Sequence, residues 1–209
     1  NYKLIDEHDL QIVGEVFLPI HHQLLALKGQ TIADITEVHS HPMALQQCDV
    51  FFEQYPHITL IESKDTAESA MKIAHEKRLK VGAIASAMAG TLYGLKTIAS
   101  DIHTYKNNTT RFFVVQLNHQ NEPMIPNKAS IKLTLSHEVG SLLKVLELFA
   151  SHQINLTKIQ SLPIKNTPFK YAFFLDVEYD DYEVYKSCIN LIKIKTKSLK
   201  ILGEYLKRQ

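Results

Sequence analysis

Asn107-Asn108-Thr109-Thr110-Arg111-Phe112, running into the apolar Phe113 to Leu117, sets a hydroxyl beside a fixed cation at the mouth of a strand. Thr110 can donate a proton or a hydrogen bond. The planar guanidinium of Arg111 matches a carboxylate with two parallel donors. Together they suit a small anionic substrate, although the segment taken alone reads more simply as a polar turn before a strand, with Arg111 solvated. The other residues able to do chemistry are histidines and thiols. Among 11 histidines, His21-His22 and His39-Ser40-His41 are the close sets. Alternate residues on a strand face one side, so His39 and His41 can pair. No cysteine or carboxylate completes a recognised metal-ligand spacing with either set, so no metal site is expected. Cys48 and Cys188 fit no metal or redox spacing and are expected as buried thiols.

The elements that must position these residues come from a chain of 209 residues, 45% of them hydrophobic, which is enough for packed cores and one or two domains. Lys plus Arg (23) nearly cancels Asp plus Glu (22), so no field exists to hold nucleic acid. Apolar runs fall well short of the roughly 20 residues of a membrane span, and the start has no signal-peptide pattern. A soluble chain in the cytoplasm is expected.

Alternation predicts strands over 11–18 and 24–27, broken at Pro19 to Gln23. A strand over 35–39 leads to a helix from Pro42 through Gln54, with Ser40 as N-cap and Pro56 beyond its end. A strand over 58–61 precedes a helix starting at Asp65 that turns Ala70, Met71, Ile73 and Ala74 inward. A strand over 81–85 precedes a helix over 87–93 that stops at Gly94. Such alternation implies a parallel sheet with helices on its faces, and ligands of such sheets sit beyond the carboxyl ends of the strands. Three loops qualify: His39 to Pro42, Ser63 to Ala67, and Ala85 to Met88. Each enters a helix N-terminus, which favours an anion. Taken singly, the hydroxyls of Ser40, Thr66 and Ser86 read as N-caps.

Residues 118–128 carry two prolines and no periodicity, the pattern of a linker. Beyond it the expected elements are a strand over 130–136, a helix over 140–152, strands over 154–162 and 169–178, a helix over 182–194 and a strand over 199–205. That βαββαβ order is ferredoxin-like. Leu142, Leu143, Leu146, Phe149 and Ala150 form one helix's apolar face, and Tyr182, Tyr185, Ile189 and Ile192 the other. The middle strands lack the aromatic signature of RNA-binding modules of this fold. The Lys193 to Lys200 run reads as a solvated guard on a sheet edge.

In order and wording, several segments resemble the prephenate dehydratase family. They are Ile12-Val13-Gly14-Glu15, Ser40-His41-Pro42 with Gln47-Cys48, Thr66-Ala67 with Ser69-Ala70-Met71, Ala89 to Leu95, and Asn107 to Phe112. The tail, with Gly140-Ser141-Leu142, Ile154 to Thr157 and Gln160-Ser161-Leu162-Pro163, resembles the phenylalanine-sensing ACT domain of such enzymes. There the family's Gly-Ala-Leu reads Gly-Ser-Leu and its Glu-Ser-Arg-Pro reads Gln-Ser-Leu-Pro, so two charges are missing. Met43 also replaces a common Gln.

The resemblance implies a lobe of a periplasmic-binding-protein-like (type II) α/β catalytic domain over 1–117, a linker over 118–128, and an ACT domain over 129–209. It further implies that most of a first lobe precedes Asn1 in a longer protein. The implied reaction is the decarboxylating dehydration of prephenate to phenylpyruvate in phenylalanine biosynthesis, without metal or other cofactor. Thr110 and Arg111 are the implied catalytic residues: Thr110 donates to the leaving hydroxyl, and Arg111 holds a carboxylate or orients the loop. Asn108, Phe112, Ser86, Thr66 and His41 would line the substrate site. Gly140, Ser141, Leu142, Asn155, Gln160 and Ser161 would face L-phenylalanine. A homodimer or homotetramer is expected, with no nucleic-acid or membrane partner. Arogenate dehydratase is the alternative enzyme. A non-catalytic amino-acid-sensing or assembly module is the alternative from another class.

Overall fold

A computed structural model of the chain describes residues 2–117, 125–164, 167 and 169–208. Contacts divide the chain into two units, Leu18–Thr110 on the one hand and Asn1–Phe17 with Arg111–Gln209 on the other. In chain order the first elements are α1 (Tyr2–Glu7), β1 (Gln11–Pro19), β2 (Gln23–Ala26), β3 (Glu37–Ser40), α2 (Pro42–Gln46), α3 (Asp49–Phe52), β4 (Thr59–Glu62), α4 (Thr66–His75), β5 (Val81–Ala85), α5 (Ala87–Tyr93) and β6 (Lys96–Ala99). Then come β7 (Thr109–Gln116), β8 (Lys128–Thr134), α6 (Ser141–Ser151), β9 (Asn155–Pro163), β10 (Tyr171–Glu178), α7 (Tyr182–Lys195) and β11 (Ser198–Tyr205).

The 18–110 unit is built on a five-stranded sheet in the order β4-β3-β5-β2-β6. Strands β3, β4 and β5 are parallel, while β2 runs antiparallel to both β5 and β6. The sheet is therefore mixed rather than wholly parallel: β2 enters from the opposite direction and inserts between β5 and β6. Buried on both faces, β5 is made of small and branched residues, Val81-Gly82-Ala83-Ile84-Ala85. Leu25, Ala70, Ile73 and Ala89 pack on one side of the sheet, and Leu24, Ile35, Val38, Leu45 and Phe52 on the other.

In this unit two helix expectations change. The predicted helix from Pro42 to Gln54 divides into α2 and α3 at Gln47-Cys48, because the Gln47 carbonyl accepts from Thr104 N (2.8 Å) instead of continuing the helical ladder. In α4, Ala70 and Ile73 are buried but Met71 is 40% exposed, since it lies about 100° around the helix from Ala70. Gly94 takes a left-handed conformation (φ 67°) and closes α5 where the sequence placed its end.

The second unit contains a four-stranded antiparallel sheet, β11-β8-β10-β9, and a two-stranded sheet of β1 and β7. On one face of the larger sheet, Val145 and Phe149 of α6 and Tyr185, Ile189 and Ile192 of α7 pack against Ile131, Leu133, Leu175 and Val177. In α6 the buried positions are Val145 and Phe149, while Leu143 and Ala150, expected inward, are exposed. Tyr2 and Ile5 of α1, Ile12 of β1 and Phe113 of β7 pack with Ala172 and Phe174 of β10 and Leu202 and Tyr205 of β11. The crossing is close at Gly203, where a β-carbon would overlap the main chain of Ile12. Within the expected linker, residues 118–124 lie outside the described residues, and Lys128 already pairs in β8 with Glu178 and Tyr205. The lysine-rich run ends on β11, an edge strand, where Lys200 reaches Asp6 (3.3 Å) and Asp9 (2.8 Å).

Candidate active site

The register brings the sequence-derived candidates to one end of the five-stranded sheet. Ser40 lies beside Glu62 in the parallel β3–β4 pair, and Gln23 faces Ala85 in the antiparallel β2–β5 pair. Leu24 faces Ala99, so the segment after β6 leaves at the same end. His41, Thr66, Ser86, the start of β2 and the 100–108 loop thus share the carboxyl end of the parallel strands, where open α/β sheets place ligands.

The loop carrying Asn108 is tied down from several sides. Ile102 N donates to His22 O (2.9 Å), Thr104 N to Gln47 O (2.8 Å) and Ile20 N to Asn108 O (2.8 Å). The Gln47 side chain is the hub, its Oε1 meeting His22 Nε2 at 2.7 Å and accepting from Asn108 Nδ2 at 2.9 Å. A cavity of about 260 Å³ is lined by Gln47, His103, Tyr105, Asn107 and Asn108. Asn108 is therefore held in place two residues before Thr110, and Thr110 itself is exposed at the start of β7.

Arg111 meets quite different surroundings. Its Nε donates to Glu15 Oε2 (2.6 Å), one terminal nitrogen to Asp176 Oδ2 and the other to Tyr205 Oη (2.8 Å). The Glu15 and Asp176 side chains are 0% exposed and that of Arg111 20%. Burial alone would favour loss of the Arg111 proton, but the hydrogen bond and attraction of Asp176 outweigh it and raise the pKa. Asp176 also accepts from Tyr2 (2.6 Å) and Ser130 (2.6 Å), and Lys128 Nζ reaches Glu15 Oε1 (3.0 Å). Burial and the bond to Asp176 push the Tyr2 phenol well above its usual range. The fork thus engages the protein's own carboxylates. Of the two roles the sequence left open for Arg111, this geometry fits orienting the segment better than holding a ligand. Phe112 is 50% exposed.

The loop residues are placed less simply. His41, not Ser40, caps α2, accepting from Met43 N (3.2 Å); Ser40 is buried and donates to Ile84 O (2.7 Å). Asp65, not Thr66, caps α4, so a carboxylate of the chain already occupies the place expected to attract an anion. Ser86 does cap α5, accepting from Ala89 N (3.2 Å). His39 pairs with Glu37 (3.1 Å) rather than with His41. Sequence reasoning gave no role to Gln47, His22 or His103. Their signal is tertiary, although Gln47 and His22 stand within segments it had quoted. Both cysteines are buried as expected, and burial pushes the Cys48 thiol up to about 12.

In the second unit the effector candidates separate. Ser141 and Leu142 line a cavity of about 170 Å³ with Ser136, Glu138, Tyr171 and Phe173, and Gly140 is the left-handed N-cap beside it (φ 78°). Gln160 and Ser161 lie exposed on the edge strand β9, facing Phe174 and Phe173. Asn155 pairs with Glu178 at the opposite end of β10 and lines another cavity, of about 370 Å³. One copy of the chain does not gather the six into one pocket, because β9 spans the sheet from end to end.

A lobe of a periplasmic-binding-protein-like α/β domain joined to a ferredoxin-like ACT domain defines the class. The family model described as prephenate dehydratase matches residues 1–120. The chain is 38% identical over 203 residues to the bifunctional chorismate mutase/prephenate dehydratase of Aquifex aeolicus, covering 96% of this chain and 55% of that protein. It is 37% identical over 222 residues to arogenate dehydratase/prephenate dehydratase 2, chloroplastic, of Arabidopsis thaliana (98% and 56%). The crystal structure of prephenate dehydratase from Arthrobacter aurescens in complex with L-Phe superposes with a TM-score of 0.85 at 26% identity, covering 95% of this chain and 66% of that one. The chain belongs to the prephenate dehydratase family. It spans about half the length of the curated relatives it matches.

Proposed function

We propose that this chain contributes to a prephenate dehydratase of phenylalanine biosynthesis, which acts in the cytoplasm, and that Thr110 is its acid. In the reaction the ring carboxylate leaves as carbon dioxide, its bonding electrons enter the ring, and the ring hydroxyl departs as water with a donated proton. Aromatisation drives the step, so the protein has to place the dianion and assist the leaving group. The observation that carries this reading is an exposed Thr110 following a loop held by Gln47, His22 and Asn108, within the segment that matches the family. Asn108, Phe112, Ser86, Thr66 and His41 are the substrate contacts in this reading. Arg111 is a positioning residue, holding the strand that carries Thr110 near its start.

The same reading divides the chain into a catalytic part over 1–117, a linker over 118–128 and a regulatory part over 129–209. L-phenylalanine is its effector, with Gly140, Ser141 and Leu142 facing it. A second copy of the chain in a homodimer or homotetramer would supply the Gln160 and Ser161 side of the site.

The test is to incubate the full-length protein with prephenate and with arogenate in separate reactions, following phenylpyruvate and phenylalanine. Phenylpyruvate from prephenate, lost in Thr110→Ala, is the expected result. Preference for arogenate would favour the second enzyme reading, supported by the double name of the Arabidopsis relative. No turnover of either, with an L-phenylalanine-dependent rise in melting temperature, would favour the sensing module.

A further inference from the structure

At the carboxyl end of the same sheet, three side chains with no role in the reading above converge: His21 before β2, and Asp101 and His103 after β6. One ligand atom from each lies within 4.8 Å of the other two. His21 Nδ1 and Asp101 Oδ1 are 3.0 Å apart, and the His21 and His103 rings meet edge to face with centroids 5.6 Å apart. His103 is 2% exposed and its Nε2 is buried without a hydrogen-bond partner, an unfavourable state for a polar atom. Its Nδ1 has only a long contact, 3.4 Å, from the His22 main-chain N–H. Burial, with Lys106 nearby, lowers the His103 pKa, which keeps the imidazole in the neutral form that ligates.

We propose that His21, Asp101 and His103 bind one divalent transition-metal ion of the zinc class. Two imidazoles and a carboxylate are a donor set for zinc and its neighbours rather than for magnesium or calcium. Ligand atoms about 2.0–2.1 Å from a tetrahedral zinc lie about 3.3 Å apart. The His21–Asp101 separation is already near that. Both of those side chains are more than half exposed and can rotate toward His103. Gln23, whose side chain donates to Asp101 Oδ1 (3.4 Å) and accepts from Asp101 N (3.2 Å), orients the carboxylate from behind. The opposing charge is Lys106, whose ammonium donates to the Asp101 carbonyl and adds repulsion toward a cation. The ion would pin the segment entering β2 to the loop that leads to Asn108, beside the cavity His103 helps to line.

The sequence argument against a metal centre was that no cysteine or carboxylate completes a recognised ligand spacing with the close histidine sets. Asp101 is 80 residues from His21 and reaches it only through the pairing of β2 with β6.

The test uses the full-length protein, stripped with chelator and titrated with Zn²⁺ by calorimetry and with Co²⁺ by visible absorption. One ion per chain is expected, with the absorption bands of a low-coordinate cobalt site. His21→Ala and Asp101→Asn, both at exposed side chains, should each weaken binding at least tenfold. His57→Ala, at an exposed histidine elsewhere in the unit, should leave it unchanged. Absence of binding, or equal affinity in all three variants, would overturn the assignment. The readout is binding and colour, so it stands whether or not the protein turns over prephenate.

Discussion

Thr110 and Arg111 are neighbours in sequence with opposite surroundings, and the boundary between the two units falls between them. Thr110 is exposed, following a loop anchored at the end of the five-stranded sheet. Arg111 is clasped by Glu15, Asp176 and Tyr205 within the unit of the four-stranded sheet. A hydroxyl that must meet substrate has to stay accessible. A guanidinium satisfied by two buried carboxylates is held by its own protein. On the proposed reading, the contrast separates two jobs that the sequence had written side by side, chemistry at one residue and placement at the next.

The largest expected effect tests the first job. Thr110→Ala in the full-length enzyme should lower turnover by about 10²–10⁴-fold, the usual contribution of a positioned acid, with an unchanged melting temperature. A folded variant that keeps most of its turnover would remove Thr110 from the mechanism. Asp176→Ala tests the second job. It leaves Arg111 short of a buried partner and should cost about 3–5 kcal/mol in denaturant unfolding, while Arg111→Lys loses the fork and should also destabilise. If Asp176→Ala were stable but inactive, Arg111 would act on substrate after all.

Smaller effects probe the supports on either side. Gly203→Ala forces a β-carbon into the Ile12 main chain and should cost about 1–3 kcal/mol, seen as a lowered urea midpoint. Ser86→Ala removes an N-cap and should cost about 1 kcal/mol. A rise in KM beyond that stability loss would show Ser86 touching substrate. The smallest effect is one of pH. The folded His103 pKa lies below its ordinary 6.5, so between the two values the unfolded chain binds a proton that the folded chain does not. In the metal-free protein, stability should therefore fall as pH drops through 6.5, and less steeply in His103→Gln, as measured by thermal melts across pH.

Element types were largely legible wherever periodicity was strong. The strand over 81–85 and the helix over 87–93 match the observed spans, and the βαββαβ order of the tail is found within a residue or two at most ends. The failures share one cause. The split at Gln47, the cap at His41, the reversed β2 and the exposed Met71 all depend on partners far away in sequence, which a local pattern cannot display. The same holds for the site: Asn108 and Thr110 were visible from residue type, but the Gln47–His22–Asn108 hub was not.

By itself, the sequence determined the chemical repertoire and the kinds of element: a hydroxyl beside a cation, strands and helices in alternation, a second ferredoxin-like unit, and the segments that place the chain in its family. Only the tertiary structure decided how those groups are used. Side-chain chemistry is fixed by covalent structure, but whether a guanidinium meets solvent or two buried carboxylates depends on burial and long-range pairing. The fold brought Glu15 and Asp176 to Arg111 and Asp101 to His21.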